Sequence, residues 1–351
     1  MQKNTSRIST AFKRKLRTAI TGDGPRFTYL RRDEGEVLLD AEILWRYSEG
    51  VNLTAFDPRS DSVLGHYFNP REVYRLRNAI LEPNLGLVYD NSGALLAEST
   101  NWPLHQQFNS FPYIPKGIKN KLRIGEAIHL SSSGYGHWLL EDLPPTLHLL
   151  NNLPEAKILV QKNCPKYVKE LLRLLDREIV FIDNPVIVDN LFIVSRNQDS
   201  GWMHPVDLRE IQRFPVIANS LSHSHPNRKI YASRIKSKRS PKNELDIQKL
   251  HQEFGYEVLC LEDLGFIEEI TLLSETSHLS GPHGSSFANM VYMQEHTKVL
   301  DIVNSNYWTE LNHRLASVSK IQYNFETYRG PTDGPVDLEL LNSKLKSIEI
   351  G

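Results

Sequence analysis

Apolar and polar positions in the second half of the chain follow a regular pattern of strand-like and helix-like segments. Short runs rich in Val, Ile and Leu alternate with segments of about ten residues whose apolar positions repeat at helical spacing. Strands that alternate with helices of this length are typical of a parallel sheet with right-handed crossovers. The pattern predicts strands at 230–233, 257–261, 278–280, 299–303 and 321–325, and helices at 244–254, 267–275, 285–293, 309–318 and 336–348.

The first half of the chain has a mixed pattern. Two short strand-like runs, at 85–90 and 94–98, flank Asn91-Ser92-Gly93, and this arrangement predicts a hairpin. An α/β pattern follows, with predicted strands at 127–130, 157–161, 179–183 and 186–195 and predicted helices at 136–150 and 166–175.

A polar stretch from 220 to 228 interrupts the pattern and predicts a domain boundary. The length of 351 residues also suits two domains of ordinary size better than one small core. The simplest architecture is α/β, with two Rossmann-like domains facing across a cleft and ligands bound beyond the carboxyl ends of the strands. We expect a tail at 1–24, an N-terminal α/β domain at 25–222, a C-terminal Rossmann-like domain at 223–330, and a C-terminal helix within 331–351 that returns toward the N-terminal domain.

Composition narrows the class of protein. Apolar residues make up 40% of the chain and charged residues 24%, as in globular proteins. The formal net charge of −1 argues against a general nucleic-acid binder. Cys164 and Cys260 are too few for a disulfide framework and too far apart for a zinc-type pair. Because no apolar run is long enough to cross a bilayer and no signal-peptide pattern is found, we expect a cytoplasmic protein.

Residues 1–22 carry six basic side chains and no acid. On a helix, Ile8, Phe12, Leu16 and Ile20 would form an apolar stripe opposite a basic face. Such a helix can lie on an anionic membrane surface, so peripheral contact with the inner face of the cell membrane is one interpretation. The favoured alternative is a frayed tail or a helix docked on its own domain.

The first candidate site lies in the predicted helix at 136–150. His137 and Glu141 are four residues apart and share a helix face, nearly opposite the leucine stripe. A carboxylate in this position could take the proton from an attacking hydroxyl group. From the residues alone, an ordinary solvated ion pair is the better interpretation.

The second candidate site is the segment from Gly281 to Asn289, which the pattern predicts as strand, glycine-bearing turn and helix. Glycines allow close approach of the backbone to a ligand, and the amides of a first helical turn attract phosphate. His283 could donate a hydrogen bond to the same anion. The alternative is a plain turn with a helix N-cap at Ser285.

The third candidate site is the basic run from Arg228 to Lys242, which contains no acid and begins at the end of the first strand of the second domain. Arg234 and Arg239 lie nearest the ligand-facing end of that strand and could clamp a diphosphate by paired hydrogen bonds. The other basic residues are expected to be solvated. The sequence lacks Asp-x-Asp, Walker A, His-Glu-x-x-His and Gly-x-Ser-x-Gly motifs, so phosphate binding would fall to backbone amides and cations.

Taken together, these segments resemble glycosyltransferase family 61, in its bacterial capsular-polysaccharide-type branch. The resemblance is ordered and covers roughly residues 85–325. The segments that carry it are His137–Pro144, Ser233-Arg234, Arg239, Asn243-Glu244, Gly281–Asn289 and the closing strand Thr297–Ile302.

The resemblance implies a GT-B fold and inversion at the anomeric carbon. It also implies acceptor binding by the N-terminal domain and a nucleotide-sugar donor, UDP-linked, in the C-terminal domain. Glu141 stands where the family's base is usually an aspartate, with Asp142 as the alternative base and His137 as its orienting partner. The expected donor-binding residues are Arg234, Arg239, Gly281, His283, Gly284, Ser285, Ser286 and Asn289, and no metal or other cofactor is expected.

The expected reaction transfers a sugar to a saccharide or lipid-linked saccharide acceptor in capsule, lipopolysaccharide or exopolysaccharide synthesis. The alternative from another class is a non-catalytic nucleotide-sugar-binding module in a polysaccharide assembly complex. Two departures from the family pattern keep this alternative open, namely Glu141 for aspartate and Ser285-Ser286 for Ala-Gly.

Overall fold

The structure is a computed structural model, and it describes residues 27–28, 41–57, 62–84, 86–90, 93–96, 99, 122–131, 134–195 and 203–350. Contacts divide the chain into two compact units. The first unit comprises Met1–Val51 and Tyr67–Ser200, and the second comprises Asn52–His66 and Gly201–Gly351. The predicted tail at 1–24 lies outside the described residues.

The strands and helices follow the predicted order closely in the second half of the chain. The strands are β1 (Phe27–Thr28), β2 (Ala41–Arg46), β3 (Val51–Asp57), β4 (Ser62–Phe68), β5 (Glu72–Glu82), β6 (Leu87–Tyr89), β7 (Leu95–Leu96), β8 (Arg123–Leu130), β9 (Lys157–Gln161), β10 (Ile179–Ile182), β11 (Val186–Val194), β12 (Arg228–Ala232), β13 (Glu257–Leu259), β14 (Thr276–Pro282), β15 (Lys298–Asn304) and β16 (Gln322–Tyr328). The α-helices are α1 (Tyr135–His137), α2 (Leu143–Asn152), α3 (Lys166–Arg173), α4 (Pro205–Arg213), α5 (Pro215–Ala218), α6 (Glu244–Glu253), α7 (Phe266–Ser274), α8 (Leu311–Val318) and α9 (Leu338–Ile350).

Within the described residues, the first unit is built on a nine-stranded mixed sheet of order β1-β7-β6-β5-β11-β8-β9-β10, with β2 also paired to β5. The four strands from β8 to β11 pair in parallel with one another. In contrast, β5 runs antiparallel to β2, β6 and β11. The first unit is therefore α/β with a parallel-rich sheet, and the finer prediction that it is Rossmann-like stays a prediction. The apolar run of β5, which occupies the sheet's centre, was missed in the sequence.

The predicted hairpin in the first unit is confirmed. β6 and β7 pair antiparallel, with Tyr89 opposite Leu95. The Asp90 N–H donates to the Ala94 carbonyl at 2.9 Å, and the Gly93 N–H donates to the Asp90 carbonyl at 3.0 Å. Gly93 has a positive φ of 82°, a conformation that glycine adopts without steric cost.

The second unit contains a five-stranded sheet of order β13-β12-β14-β15-β16 in which every pair is parallel. The alternating pattern predicted this sheet, and the structure confirms it. Because all five strands run the same way, their carboxyl ends lie at one edge of the sheet. The residues that follow β12, β14 and β15 are therefore neighbours at that edge.

The limits of the second unit differ from the predicted domains. The break falls between Ser200 and Gly201, before the polar stretch at 220–228. The reason is that α4 packs on the second unit, where Gln212 Nε2 donates to the Val291 carbonyl at 3.0 Å. The second unit also includes Asn52–His66 from the first half of the chain.

The C-terminal helix was expected to return toward the first domain, and this stays a prediction. α9 packs within the second unit, where Leu341, Leu345 and Ile348 share a buried cluster with Tyr231 of β12 and Ile302 of β15. The apolar face of α9 is thus covered by the parallel sheet.

Among the described residues, no helix combines the length and the apolar character that crossing a membrane requires.

Candidate active site

The helix that carries the first candidate site is made of three pieces. α1 leads into a π-helix at Trp138–Asp142, and α2 follows. The N–H of Leu143 donates to the carbonyl of the first π-helical residue, five positions earlier. Pro144 and Pro145 have no N–H for the next two α-helical bonds, which favours an altered turn at this point. The π-helical turn therefore contains one residue more than an α-helical turn. Such turns are frequent at functional sites.

His137 and Glu141 lie side by side on this turn, with His137 Nδ1 3.0 Å from Glu141 Oε1. The His137 side chain is 47% exposed, whereas that of Glu141 is 9% exposed. The hydrogen bond to Glu141 raises the pKa of His137, and burial partly opposes this shift. The prediction that the two side chains share a face is confirmed. The role of Glu141 as a base stays a prediction.

An aromatic cluster supports the π-helical turn from inside the first unit. The fully buried Trp138 ring lies 4.8 Å from the Tyr167 ring, and the Tyr167 ring lies 5.1 Å from that of Tyr135. Burial raises the pKa of Tyr167 to about 12, and the negative charge of Asp142 adds to the shift. Asp142, the predicted alternative base, is only 3% exposed, so Glu141 is the more accessible of the two acids.

The second unit holds Arg234 just beyond the carboxyl end of β12. The buried carboxylate of Glu244, at the start of α6, accepts hydrogen bonds from the Arg234 N–H at 3.0 Å and from Ser233 Oγ at 2.8 Å. The same carboxylate accepts a hydrogen bond from the Tyr231 hydroxyl at 3.0 Å. Glu244 therefore fixes the backbone from which the Arg234 side chain projects.

The Arg234 guanidinium is directed to the turn after β14. Its Nη1 donates to the His283 carbonyl, and its Nη2 donates to Ser237 Oγ at 3.1 Å. A β-carbon added to Gly284 would lie only 2.8 Å from Arg234 Cζ. Gly284 has an extended backbone with φ of 170°, so its lack of a side chain is required by the approach of Arg234.

Gly281 serves a different purpose in the same turn. A β-carbon at this position would lie 2.6 Å from the backbone carbonyl oxygen of Ala232 on the neighbouring strand. The glycine thus allows β12 and β14 to approach closely at their carboxyl ends. Its role is in the backbone geometry of the site and does not require contact with a ligand.

His283 was predicted to donate a hydrogen bond to an anion, but both of its ring nitrogens already have partners inside the second unit. Nδ1 lies 2.8 Å from Asp301 Oδ2, and Nε2 lies 2.9 Å from Thr309 Oγ1. Because a carboxylate only accepts, Nδ1 carries the proton, and Nε2 faces a hydroxyl that can donate to it. The same Asp301 oxygen accepts from Asn312 Nδ2 and from the Tyr323 hydroxyl, each at 2.8 Å. His283 therefore anchors the turn from beneath.

The segment after Gly284 is a 3₁₀-helix, Ser285–Tyr292, where the sequence predicted a helix at 285–293. Its first bond runs from the Phe287 N–H to the Gly284 carbonyl at 3.2 Å. The N-cap residue of this helix is Gly284 and Ser285 is its first helical residue, so the interpretation of Ser285 as the N-cap is wrong. Binding of a ligand by Ser285 and Ser286 stays a prediction.

Asn289 was predicted to bind the donor, and the structure buries it completely. Its Nδ2 donates to Glu269 Oε1 at 2.6 Å, which ties the 3₁₀-helix to α7. Its contribution is therefore to the packing of the turn. The same bond gives a structural role to Glu269 of α7.

Arg239 lies near Arg234 at the same edge of the sheet. Burial lowers the pKa of Arg234, and the positive charge of Arg239 lowers it further. The Arg239 guanidinium stands over the Tyr307 ring, with Cζ 4.3 Å from the ring centroid. The second unit thus brings two predicted arginines and the His283-Gly284 turn together. The expectation that this site faces His137 and Glu141 across one cleft stays a prediction.

Several residues of the site were given no individual role in the sequence analysis, although two of them lie in segments that carry the family resemblance. Glu244, Asp301, Thr309 and Tyr307 were given no role there, although each contacts a predicted residue. Two signals were present in the sequence. Glu244 is the first acid after the basic run, and Asp301 interrupts an otherwise apolar predicted strand.

Among the described residues, no group of three or more His, Cys, Asp or Glu side chains is arranged to hold a metal ion. The expectation of a metal-independent reaction stays a prediction.

Comparison with known proteins identifies the family. Residues 135–300 match the family model described as Glycosyltransferase 61. The match is narrower than the resemblance at 85–325, yet it contains all the predicted catalytic and donor-binding residues. A search among curated proteins found no match. The family favours the enzyme over the non-catalytic binding module. The chain carries a glycosyltransferase family 61 domain at residues 135–300, and the protein is a glycosyltransferase.

Proposed function

We propose that the protein is an inverting, metal-independent glycosyltransferase that uses a nucleotide-sugar donor and a saccharide acceptor. The observation that carries the proposal is the pairing of Arg234 and Arg239 beside the His283-Gly284 turn, at the carboxyl edge of a parallel sheet. Two guanidinium groups at such an edge favour a polyanionic ligand, and a diphosphate can accept paired hydrogen bonds from each.

The donor half of the mechanism depends on charge. As the bond between the anomeric carbon and the diphosphate oxygen breaks, negative charge grows on the leaving nucleoside diphosphate. Donors fixed in advance toward that charge stabilise the transition state more than the ground state. Arg234 meets this requirement because Glu244 holds its backbone and the His283 carbonyl holds its guanidinium.

The acceptor half of the mechanism assigns the base to Glu141. Its carboxylate takes the proton of an acceptor hydroxyl, whose oxygen attacks the anomeric carbon from the face opposite the diphosphate. One C–O bond forms as another breaks, so the configuration of the anomeric carbon inverts. His137, 3.0 Å from Glu141 Oε1, orients the carboxylate and modulates its basicity.

The substrate classes rest on the family resemblance. We assign the donor as UDP-linked and the acceptor as a saccharide or lipid-linked saccharide in capsule, lipopolysaccharide or exopolysaccharide synthesis. The proposed compartment is the cytoplasm.

The test is transfer from a panel of α-linked nucleotide sugars to saccharide acceptors, in the presence of EDTA. We expect stoichiometric release of nucleoside diphosphate and a β-linked product by NMR. An α-linked product from an α-linked donor would contradict inversion. Full loss of turnover in EDTA, restored by a divalent cation, would contradict metal independence. Tight donor binding without turnover on any acceptor would contradict the enzyme and support a non-catalytic nucleotide-sugar-binding module.

A further inference from the structure

Tyr307 lies in the turn that follows β15 and is 42% exposed, yet its backbone is firmly tied. Its N–H donates to the Asn304 carbonyl at 2.9 Å. On the other side of the turn, Thr309 Oγ1 lies 2.9 Å from His283 Nε2. The ring of His283 also meets the Tyr307 ring edge-on, with centroids 6.4 Å apart. An exposed aromatic ring is therefore held in place beside the turn that Arg234 contacts.

Arg239 covers one face of this ring, with Cζ 4.3 Å from the ring centroid. A cation–π contact uses the positive charge of the guanidinium and does not consume its N–H groups as hydrogen-bond donors to an acceptor atom. The Arg239 side chain makes no hydrogen bond and no ion pair with any residue that the structure describes. The aromatic ring thus holds a cation without occupying its hydrogen-bond donors.

Arg239 carries the same charge as Arg234 nearby, and its positive charge lowers the pKa of Arg234. A flexible arginine side chain would ordinarily turn into solvent to reduce this repulsion. The Tyr307 ring opposes that movement, since its π face attracts the cation. The pair therefore keeps two guanidinium groups close together at one edge of the sheet.

We propose that Tyr307 is a positioning residue that holds Arg239 ready to bind the diphosphate of the donor. The inference rests on the proposed function, because it requires a nucleoside diphosphate group at this edge. Tyr307 lies outside the segment matched by the family, so the family match assigns it no role. Tyr307 acts through Arg239 and recognises neither the nucleobase nor the sugar.

The test measures binding of UDP and of UMP to the full chain by titration calorimetry. GDP, ADP and CDP are each tested in parallel with the corresponding monophosphate. The variants are Tyr307→Ala, Tyr307→Phe, Arg239→Ala and the double variant. Lys238→Ala is the matched control, since it removes an exposed charge next to Arg239. Thermal unfolding of each variant separates loss of binding from loss of fold.

We expect Tyr307→Ala to weaken diphosphate binding about 3- to 30-fold. Tyr307→Phe keeps the ring and should bind like wild type, as should Lys238→Ala. In the Arg239→Ala background, Tyr307→Ala should cause little further loss, because it acts through the missing guanidinium. Monophosphate binding should change less than diphosphate binding.

Three results would overturn the inference. Unchanged diphosphate affinity in Tyr307→Ala would remove the positioning role while leaving the proposed function intact. Equal losses for UDP and UMP, additive with Arg239→Ala, would make Tyr307 a nucleobase-stacking residue instead. If wild type binds none of the diphosphates, the proposed function fails, and the positioning role fails with it.

Discussion

The guanidinium of Arg234 occupies the space that a β-carbon on Gly284 would fill, and it donates a hydrogen bond to the carbonyl of the preceding residue, His283. An arginine after one strand is thereby fixed to the turn after the neighbouring strand. This relationship converts two separate sequence motifs into one cationic site. Substitutions at Gly284 and at Gly281 of this turn should therefore have different effects, the first on ligand binding and the second on folding.

Gly284→Ala should reduce donor affinity without unfolding the protein. The new β-carbon would lie 2.8 Å from Arg234 Cζ, and the flexible arginine side chain can move away at little cost. We expect donor binding to fall about 10- to 100-fold because the cation is misplaced. The free energy of unfolding should change by less than about 1 kcal/mol.

Gly265→Ala is the matched control for this substitution. It lies in the same unit, and a β-carbon there meets no atom within 4 Å. Isothermal titration with the donor nucleotide checks the difference. Wild-type affinity in Gly284→Ala would show that the position of Arg234 does not matter for binding.

Gly281→Ala should instead destabilise the second unit. Its β-carbon would lie 2.6 Å from the Ala232 carbonyl oxygen, and a backbone atom of a central strand cannot move without disturbing the sheet. We expect a loss of about 1–3 kcal/mol in the free energy of unfolding. Urea denaturation monitored by circular dichroism measures it, again with Gly265→Ala for comparison. A midpoint equal to that of wild type would contradict the tight packing of β12 on β14.

Glu141→Gln should slow transfer while leaving donor binding intact. The amide keeps the size of the side chain but cannot take a proton, so we expect kcat to fall about 10²–10⁴-fold. Single-turnover assays with saturating donor measure the chemical step. Glu155→Gln, an exposed glutamate of the same unit, should leave the rate unchanged. A wild-type rate in Glu141→Gln would exclude Glu141 as the base.

The pH dependence of transfer should reflect the pairing of His137 with Glu141. The hydrogen bond to Glu141 raises the pKa of His137 above its ordinary value of about 6.5. Below the raised pKa, imidazolium holds the carboxylate and weakens it as a base. The rate should therefore increase as pH rises through the raised pKa, and His137→Gln should remove this inflection. An unchanged profile in His137→Gln would assign the inflection to another group.

Stability should respond to the same pair in the opposite direction. A raised pKa in the folded state means that the ion pair contributes below the unfolded pKa of histidine. Its contribution is then lost as pH rises through the folded pKa. Because the His137 side chain is 47% exposed, solvent screens the pair and the effect on stability should be small.

The sequence by itself determined the local elements and their order. Alternating periodicity predicted the parallel sheet of the second unit, because buried strands and amphipathic helices each impose a repeat on neighbouring residues. The same reasoning identified the hairpin at Gly93 and the shared face of His137 and Glu141. These features depend on residues close together in sequence.

Only the tertiary structure decided which distant residues meet. β5 pairs with β11, Arg234 meets Gly284, and α9 covers the second sheet. Periodicity cannot specify such pairings, because it shows which face of an element is buried and not which neighbour buries it. The contacts of His283 could not be predicted from the sequence for the same reason. Its partners, Asp301 and Thr309, become neighbours only when β14 and β15 align.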